Sequence, residues 1–235
     1  HSMNPFFALD PEGKSDENQG DVYFGELAWS GNWKIAIERD DFGLTRASAG
    51  LNDFEFSVEL SGGQSFETPS FVYGFTDRGF GQMSRNLHAY QRRYLASPDA
   101  AGGRRKILYN SWEATNFAVN EEGQMRLADI AASIGVELFV MDDGWFGRRN
   151  DDRAGLGDWS VNPEKFPNGL DGLISHVKSL GMDFGLWVEP EMVNPDSDLY
   201  RAHPDWVYHV PGRPRMEQRN QLVLNLARTD VRDHL

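Results

Sequence analysis

The chain has no cysteine. Disulfides, thiolate metal sites and a cysteine nucleophile are therefore out of reach, and a reducing, cytoplasmic setting is expected. Basic residues are scarce, with 23 Lys+Arg against 36 Asp+Glu and a formal charge of -13. A surface that acidic repels phosphate backbones, so no nucleic-acid partner is expected. No apolar run approaches the ~18 residues of a membrane span, and no basic-then-apolar leader opens the sequence, so neither a membrane partner nor secretion is expected. His88, His176, His203 and His209 lack metal-ligand spacing; surface or helix histidines are the reading, and neither metal nor cofactor is expected. There is no serine-centred nucleophile elbow and no P-loop. What remains is 235 residues, 40% hydrophobic and 25% charged, enough for one large domain or two small ones with a buried core. The 7 tryptophans, several beside acidic residues, favour a sugar-binding cleft.

Two patterns divide the chain. His1-Ser2-Met3 looks like an expression remnant, and Asp10 to Gly20 reads as a polar loop. From Asp21 to Thr76 short apolar runs alternate with turn clusters: Val22-Tyr23-Phe24, then Trp33 to Glu38, then Phe54, Phe56, Val58 and Leu60 on one face of a strand, then Phe66 to Phe75. Such spacing predicts an antiparallel sheet or sandwich. Met83, Leu87, Tyr90 and Tyr94 recur at helical spacing. Ser97-Pro98-Asp99 and Gly102-Gly103 read as a linker. Beyond Lys106, strand and helix alternate: strand 106–110, helix 121–134 with Gly135 as C-cap, strand 137–141, helix 170–180 closed by Gly181, strand 182–187. Repeated βα units with continuous apolar strands predict a parallel sheet, open or closed.

Each predicted parallel strand ends in a cluster of polar and aromatic residues: Trp112-Glu113, Asp142-Asp143-Gly144-Trp145, and Trp187 to Glu191. Active sites of (β/α)₈ barrels are built there, which favours a barrel over an open sheet. A full barrel of ~250 residues cannot fit in the ~130 residues after the linker, so only about three βα units are expected. Asp142-Asp143 could accept hydrogen bonds from substrate hydroxyls, or Asp-Asp-Gly could simply be a turn. Trp112, Trp145 and Trp187 could stack on a pyranose or fill the core; three at three strand ends favour a shared pocket. Glu189 and Glu191, two residues apart, would sit on one side of a pocket, so they read as lining groups paired with arginine rather than as an acid/base pair across a glycosidic bond. Arg219 is either a clamp or a surface charge.

At these residues the chain resembles a known family. Asn110-Ser111-Trp112-Glu113-Ala114, Met141 to Gly147, Gly157-Asp158-Trp159 and Gly185 to Met192 together look like the bacterial α-galactosidases of glycoside hydrolase family 36. The Asp-Asp-Gly-Trp-Phe and Trp-x-Glu-Pro-Glu-Met runs are specific, and they come in the family's order and spacing. The resemblance implies the last part of a β-supersandwich followed by an incomplete (β/α)₈ barrel, a mixed α+β and α/β fold. It places the remnant and a flexible segment at 1–20, the partial sandwich at 21–78, a linker helix and loop at 79–104 and the barrel portion at 105–235. It implies retaining cleavage of terminal α-D-galactosides such as raffinose-type sugars. It further implies that Asp142 and Asp143 bind galactose hydroxyls and that Trp187, Trp112 and Arg219 face the same pocket.

The family's nucleophile is an aspartate on the fourth barrel strand in a Lys-x-Asp context, with the acid/base aspartate further on. No Lys-x-Asp follows an apolar strand in this sequence. Both catalytic groups are therefore expected beyond Leu235, and these 235 residues are expected to be inactive alone, since a double displacement needs both carboxyls. Two other readings stand: a folded piece that only self-assembles or binds sugar weakly, and a piece of a raffinose-synthase-like transglycosylase with the same donor pocket. An incomplete barrel leaves strand edges open, which predicts a homo-oligomer that covers them.

Overall fold

Aromatic and β-branched runs between polar turns build the strands of the first half of the chain. The computed structural model describes residues 4–54, 56–97 and 103–235, and the chain divides into two units, His1–Gly103 and Arg104–Leu235. The first unit contains β1 (Phe6–Leu9), β2 (Val22–Leu27), β3 (Trp33–Arg39), β4 (Thr45–Leu51) and β5 (Phe71–Thr76). Antiparallel pairing gives a sheet ordered β1-β2-β5 and a separate β3-β4 hairpin. In the central strand Tyr23 pairs with Phe75 and Gly25 with Tyr73, while Phe7 lies opposite Gly25 from the other side. One face of the sheet is thus a run of rings, with Phe7–Phe71 centroids 6.1 Å apart and Tyr23–Phe75 4.8 Å apart. On the other face the buried Phe24 covers its cross-strand partner Gly74.

Three expectations change here. Residues 1–20 read in the sequence as a remnant and a flexible segment, yet Phe6–Leu9 is a strand. Its four residues are too few to show a period, and pairing with β2 decides their state. The loop that follows is held as well: the Asp10 carboxylate accepts the amides of Glu12, Gly13 and Ser15, and the amides of Phe80 and Gly81 donate to the carbonyls of Asp16 and Glu17. The alternating Phe54–Leu60 stretch forms no strand among the described residues, and Phe54, Phe56, Val58 and Leu60 are exposed. Alternation specifies an apolar face but not a ladder partner. The strand predicted over 66–75 begins only at Phe71.

The predicted helix appears as α1 (Gly79–Tyr90), continued by a π-helical turn, Gln91–Leu95. Met83, Leu87 and Tyr90 are half-buried, but the wider turn carries Tyr94 off the stripe and into solvent, where its ring tilts against Tyr90. Residues 1–3 and the linker residues Pro98, Asp99 and Gly102 lie outside the described residues.

The second unit is built from β6 (Leu108–Asn110), α2 (Trp112–Thr115), α3 (Glu121–Ser133), β7 (Leu138–Met141), α4 (Asp171–Ser179), β8 (Asp183–Leu186), β9 (Met192–Val193), α5 (Asp198–Ala202), β10 (Leu222–Val223) and α6 (Thr229–His234). β6, β7 and β8 are parallel neighbours, with Asn110 opposite Val140 and Met141 opposite Leu186, and β9 pairs antiparallel with β10. Asn120 caps α3 by accepting the Gly123 amide at 2.8 Å, and Glu121 and Glu122 sit in its first turn. The two long helices end alike. Gly135 and Gly181 take positive φ, of 88° and 82°. Their amides donate to Ala132 and Lys178, and the next amides, Val136 and Met182, donate back to Ala131 and Val177. This Schellman closure turns the chain directly into β7 and β8. Phe139, Met141, Leu173, Val177 and Met182 then share one buried cluster with Trp145, Phe146 and Leu156; a smaller cluster joins Val193, Trp206, Leu222 and Val231.

A Cβ at position 74 would lie 2.4 Å from the Phe24 ring. Gly74→Ala is expected to lower stability by about 1–3 kcal/mol through overpacking. A urea midpoint equal to the parent's would show that the ring has room to move aside.

Candidate functional site

The carboxyl ends of β6, β7 and β8 carry Trp112, Asp142-Asp143 and Trp187, so parallel pairing alone puts four of the five sequence-predicted residues at adjacent strand ends. The Ser111 hydroxyl accepts the Asp142 amide at 3.0 Å and the Met141 carbonyl accepts the Trp187 amide at 2.9 Å, which extends the ladder past the strands. Asp142 is half-buried. Its Oδ2 accepts a short hydrogen bond from Asn110 and its Oδ1 takes the Asp143 amide at 2.7 Å. Asn110 Oδ1 in turn accepts the Trp112 amide at 2.8 Å. Trp112 is half-buried at the start of α2, edge-on to Phe117 at 5.0 Å. Trp187 is half-buried and meets Trp159 edge-on at 6.4 Å, and its carbonyl accepts the Trp145 indole N–H. Trp145 is a core residue, buried against Phe146.

Asp143 stands differently from its neighbour. It is buried, and the fully buried Arg149 donates to both of its oxygens, from Nε at 3.0 and 3.1 Å and from Nη2 at 2.9 Å. The two adjacent carboxylates were expected to act alike. The structure divides them into one accessible acceptor and one locked in an ion pair. Arg149 also donates through Nη1 to Asn194 Oδ1 and the Ala154 carbonyl, and its guanidinium lies 5.2 Å above the Phe117 ring. Lys165 adds a second cation: its ammonium donates to the carbonyls of Phe117, Gly144 and Arg149 at 2.7–2.9 Å. Burial lowers the Lys165 pKa, and the Asp143 charge opposes that shift.

Arg219 lies outside the strand ends, exposed on the turn 218–221. The turn is closed by Gln221 donating to the Gln218 carbonyl at 3.0 Å. Arg219 and Asn220 both take left-handed backbone, with φ of 55° and 57°. Two-residue hairpin turns of this kind favour Asn-Gly; an arginine in that conformation costs about 1–2 kcal/mol. Strain of this kind clusters at functional sites. Arg219 acts electrostatically on Glu189, as does Arg149. Glu189 is half-buried and lies in the field of these two arginines. Arg149, Asn194 and Lys165 escaped sequence reasoning. Their one signal is that Arg149 falls six residues after Asp143 in the same strand-to-helix segment. Among the described residues, no group of three or more His, Asp or Glu could hold a metal ion.

A parallel βα sheet with carboxylates and indoles at its carboxyl ends, alongside a unit of antiparallel strands, is the fold of the glycoside hydrolase family 36 α-galactosidases: an N-terminal sandwich and the start of a barrel. Residues 65–235 match the family model described as Melibiase, and residues 1–61 match that of the glycosyl hydrolase family 36 N-terminal domain; the chain belongs to this family. It is 52% identical, along its whole length, to 32% of alpha-galactosidase AgaA of Geobacillus stearothermophilus. It is 43% identical, again along its whole length, to 32% of alpha-galactosidase Mel36A of Lactobacillus acidophilus. The crystal structure of a substituted AgaA from Geobacillus stearothermophilus in complex with stachyose superposes with a TM-score of 0.90 at 52% identity, covering 100% of this chain and 32% of that one. The chain thus spans about a third of the length of these relatives.

Burial raises the Glu189 pKa above its ordinary 4.5, the Glu191 charge adds to the rise, and the arginines oppose it. The folded chain then holds a proton where the unfolded chain has lost it, so this group's contribution falls as pH climbs through that window. Glu189→Gln is expected to raise the urea midpoint at about pH 7 and to leave it unchanged at about pH 4. Equal midpoints at both pH values would show that the Glu189 charge costs the fold nothing.

Proposed function

We propose that the chain carries the galactose-binding strand ends of an α-galactosidase that removes terminal α-D-galactosyl groups from raffinose-type sugars. The division of Asp142 and Asp143 into an accessible acceptor and a locked, ion-paired carboxylate supports this reading above all. Asp142 still has lone pairs free after accepting from Asn110 and Asp143, and a carboxylate binds a hydroxyl with about 1.5–3 kcal/mol. Asp143, held by Arg149, offers only what the guanidinium leaves, at a fixed position. Trp112 and Trp187 supply indole surface beside it, and Arg219 supplies donors for ring or hydroxyl oxygens. The relatives' names and the stachyose complex point to the same substrate class.

Cleavage with retention needs a nucleophile and an acid/base carboxyl on opposite sides of the glycosidic bond. Nothing in the residues above supplies that pair: Asp142, Asp143, Glu189 and Glu191 come from two neighbouring strand ends of one sheet. A polypeptide of these 235 residues is expected to release no nitrophenol from an aryl α-galactoside above buffer, while the whole protein turns it over. Loss of an essential group typically costs several orders of magnitude. Turnover by the 235 residues alone would place the nucleophile among those four carboxylates. No turnover by the whole protein would remove the α-galactosidase reading.

We also propose that the isolated polypeptide self-associates. β6 and β8 end the parallel sheet with open edges among the described residues, and Ile107, Leu108, Ile130 and Ile134 are exposed in the same unit. Open edges and apolar patches promote pairing between chains. Light scattering of the polypeptide is expected to give a mass above that of one chain at micromolar concentration; a monomer there defeats the proposal.

A further inference from the structure

Asn194 is fully buried, and every hydrogen-bonding position of its amide is taken. Its Oδ1 accepts from Arg149 Nη1 at 2.9 Å and from the Leu156 amide at 2.9 Å. Its Nδ2 donates to the carbonyls of Asp152 at 3.1 Å and Asn220 at 2.7 Å. The backbone is tied as firmly, with the Asn194 amide on the Leu156 carbonyl and the Ser197 hydroxyl on the Asn194 carbonyl. Two donors and two acceptor positions, all used, leave the amide a single orientation. One arm reaches Asp143 through Arg149. The other holds the second residue of the left-handed turn, directly after Arg219.

We propose that Asn194 is the positioning residue of the galactoside pocket: its amide sets the turn that bears Arg219 at a fixed distance from the Asp143–Arg149 pair. The inference rests on the sugar-binding reading above. A merely structural asparagine would hold loops without regard to what Arg219 does. Arg149 keeps its bonds to both Asp143 oxygens and to the Ala154 carbonyl without the Asn194 amide, so a positioning asparagine acts on the sugar chiefly through Arg219 and has little to act through once that side chain is gone.

A double-mutant cycle on the whole protein separates the two, with galactose affinity measured by calorimetry on the parent, Asn194→Ala, Arg219→Ala and the double variant. Arg219→Ala is expected to weaken binding by about tenfold or more, and Asn194→Ala by about tenfold. The double variant is expected to match Arg219→Ala within about twofold, although its thermal midpoint falls further. Asn194→Asp provides a second test should the alanine variant not fold: it keeps the acceptor for Arg149 and Leu156 but has no donor for Asn220, and the same loss is expected. Losses that multiply in the double variant, or an unchanged affinity in both Asn194 variants, overturn the inference while the sugar-binding reading stands. An Arg219→Ala protein with parental affinity takes the sugar away from this turn and overturns the inference, whereas a parent protein with no measurable galactose affinity overturns the sugar-binding reading itself.

Discussion

The second unit depends on one ion pair that water does not reach. Arg149 and Asp143 have side chains 0% and 5% exposed. Removing two charges from water costs several kcal/mol per ion, and the pair is tolerable because its geometry is bidentate and Nη1 finds two further acceptors. Arg149 satisfies that condition through Asn194, the Ala154 carbonyl and the face of Phe117. Loss of either partner would leave an uncompensated buried charge, a penalty of about 3–5 kcal/mol. A well-packed apolar pair of the same volume would cost the fold less. A buried pair at a strand end is therefore better understood through what it orients than through what it stabilises.

What it orients is set by chain entry. The Schellman turns at Gly135 and Gly181 send the chain straight from helix to strand, so the carboxyl ends of β7 and β8 arrive in register with β6. Register places Trp112, Asp142 and Trp187 side by side, at a strand spacing of about 4.8 Å. The long segment between β7 and α4 then folds back over these ends. Lys165 clamps it, its three N–H groups each on a different carbonyl. Ammonium bonds to carbonyls serve here as a staple between segments that have no ladder of their own.

Periodicity carried most of the fold. The helices over 121–134 and 170–180 and the strands between them followed from apolar spacing, and their glycine ends from the need for positive φ. Fold class was legible because βα repeats leave few alternatives. Phe6–Leu9 was not legible, because four residues show no period and only the partner strand decides. Phe54–Leu60 misled in the opposite sense: its alternation is real, but a strand also needs a neighbour. At the site, the aspartates and tryptophans were found because each follows an apolar strand. Arg149, Asn194 and Lys165 sit in irregular segments, where neither the 3.6 nor the 2.0 period applies. Their roles arise from contacts 16–48 residues apart, such as Lys165 to Phe117 and Asn194 to Arg149.

The turn at Arg219-Asn220 gives these long-range contacts a purpose. An exposed arginine on a relaxed loop samples many rotamers and loses about 0.5–1.5 kcal/mol when a ligand orders it. A backbone held at positive φ by Asn194 from beneath removes part of that freedom before any ligand arrives. The strain is sustained by the folded state, through the Asn194 amide and the β9-β10 ladder that the turn leads into. On the proposed sugar-binding reading, a ligand would meet a hydrogen-bonded carboxylate, indole surface and a pre-set backbone at the arginine, with the end of one side chain left to be ordered. Neutral polyols bind through many modest hydrogen bonds, so preorganisation of this kind counts for more than any single contact. The buried arginine and asparagine, touching no solvent, are the groups through which the fold achieves it.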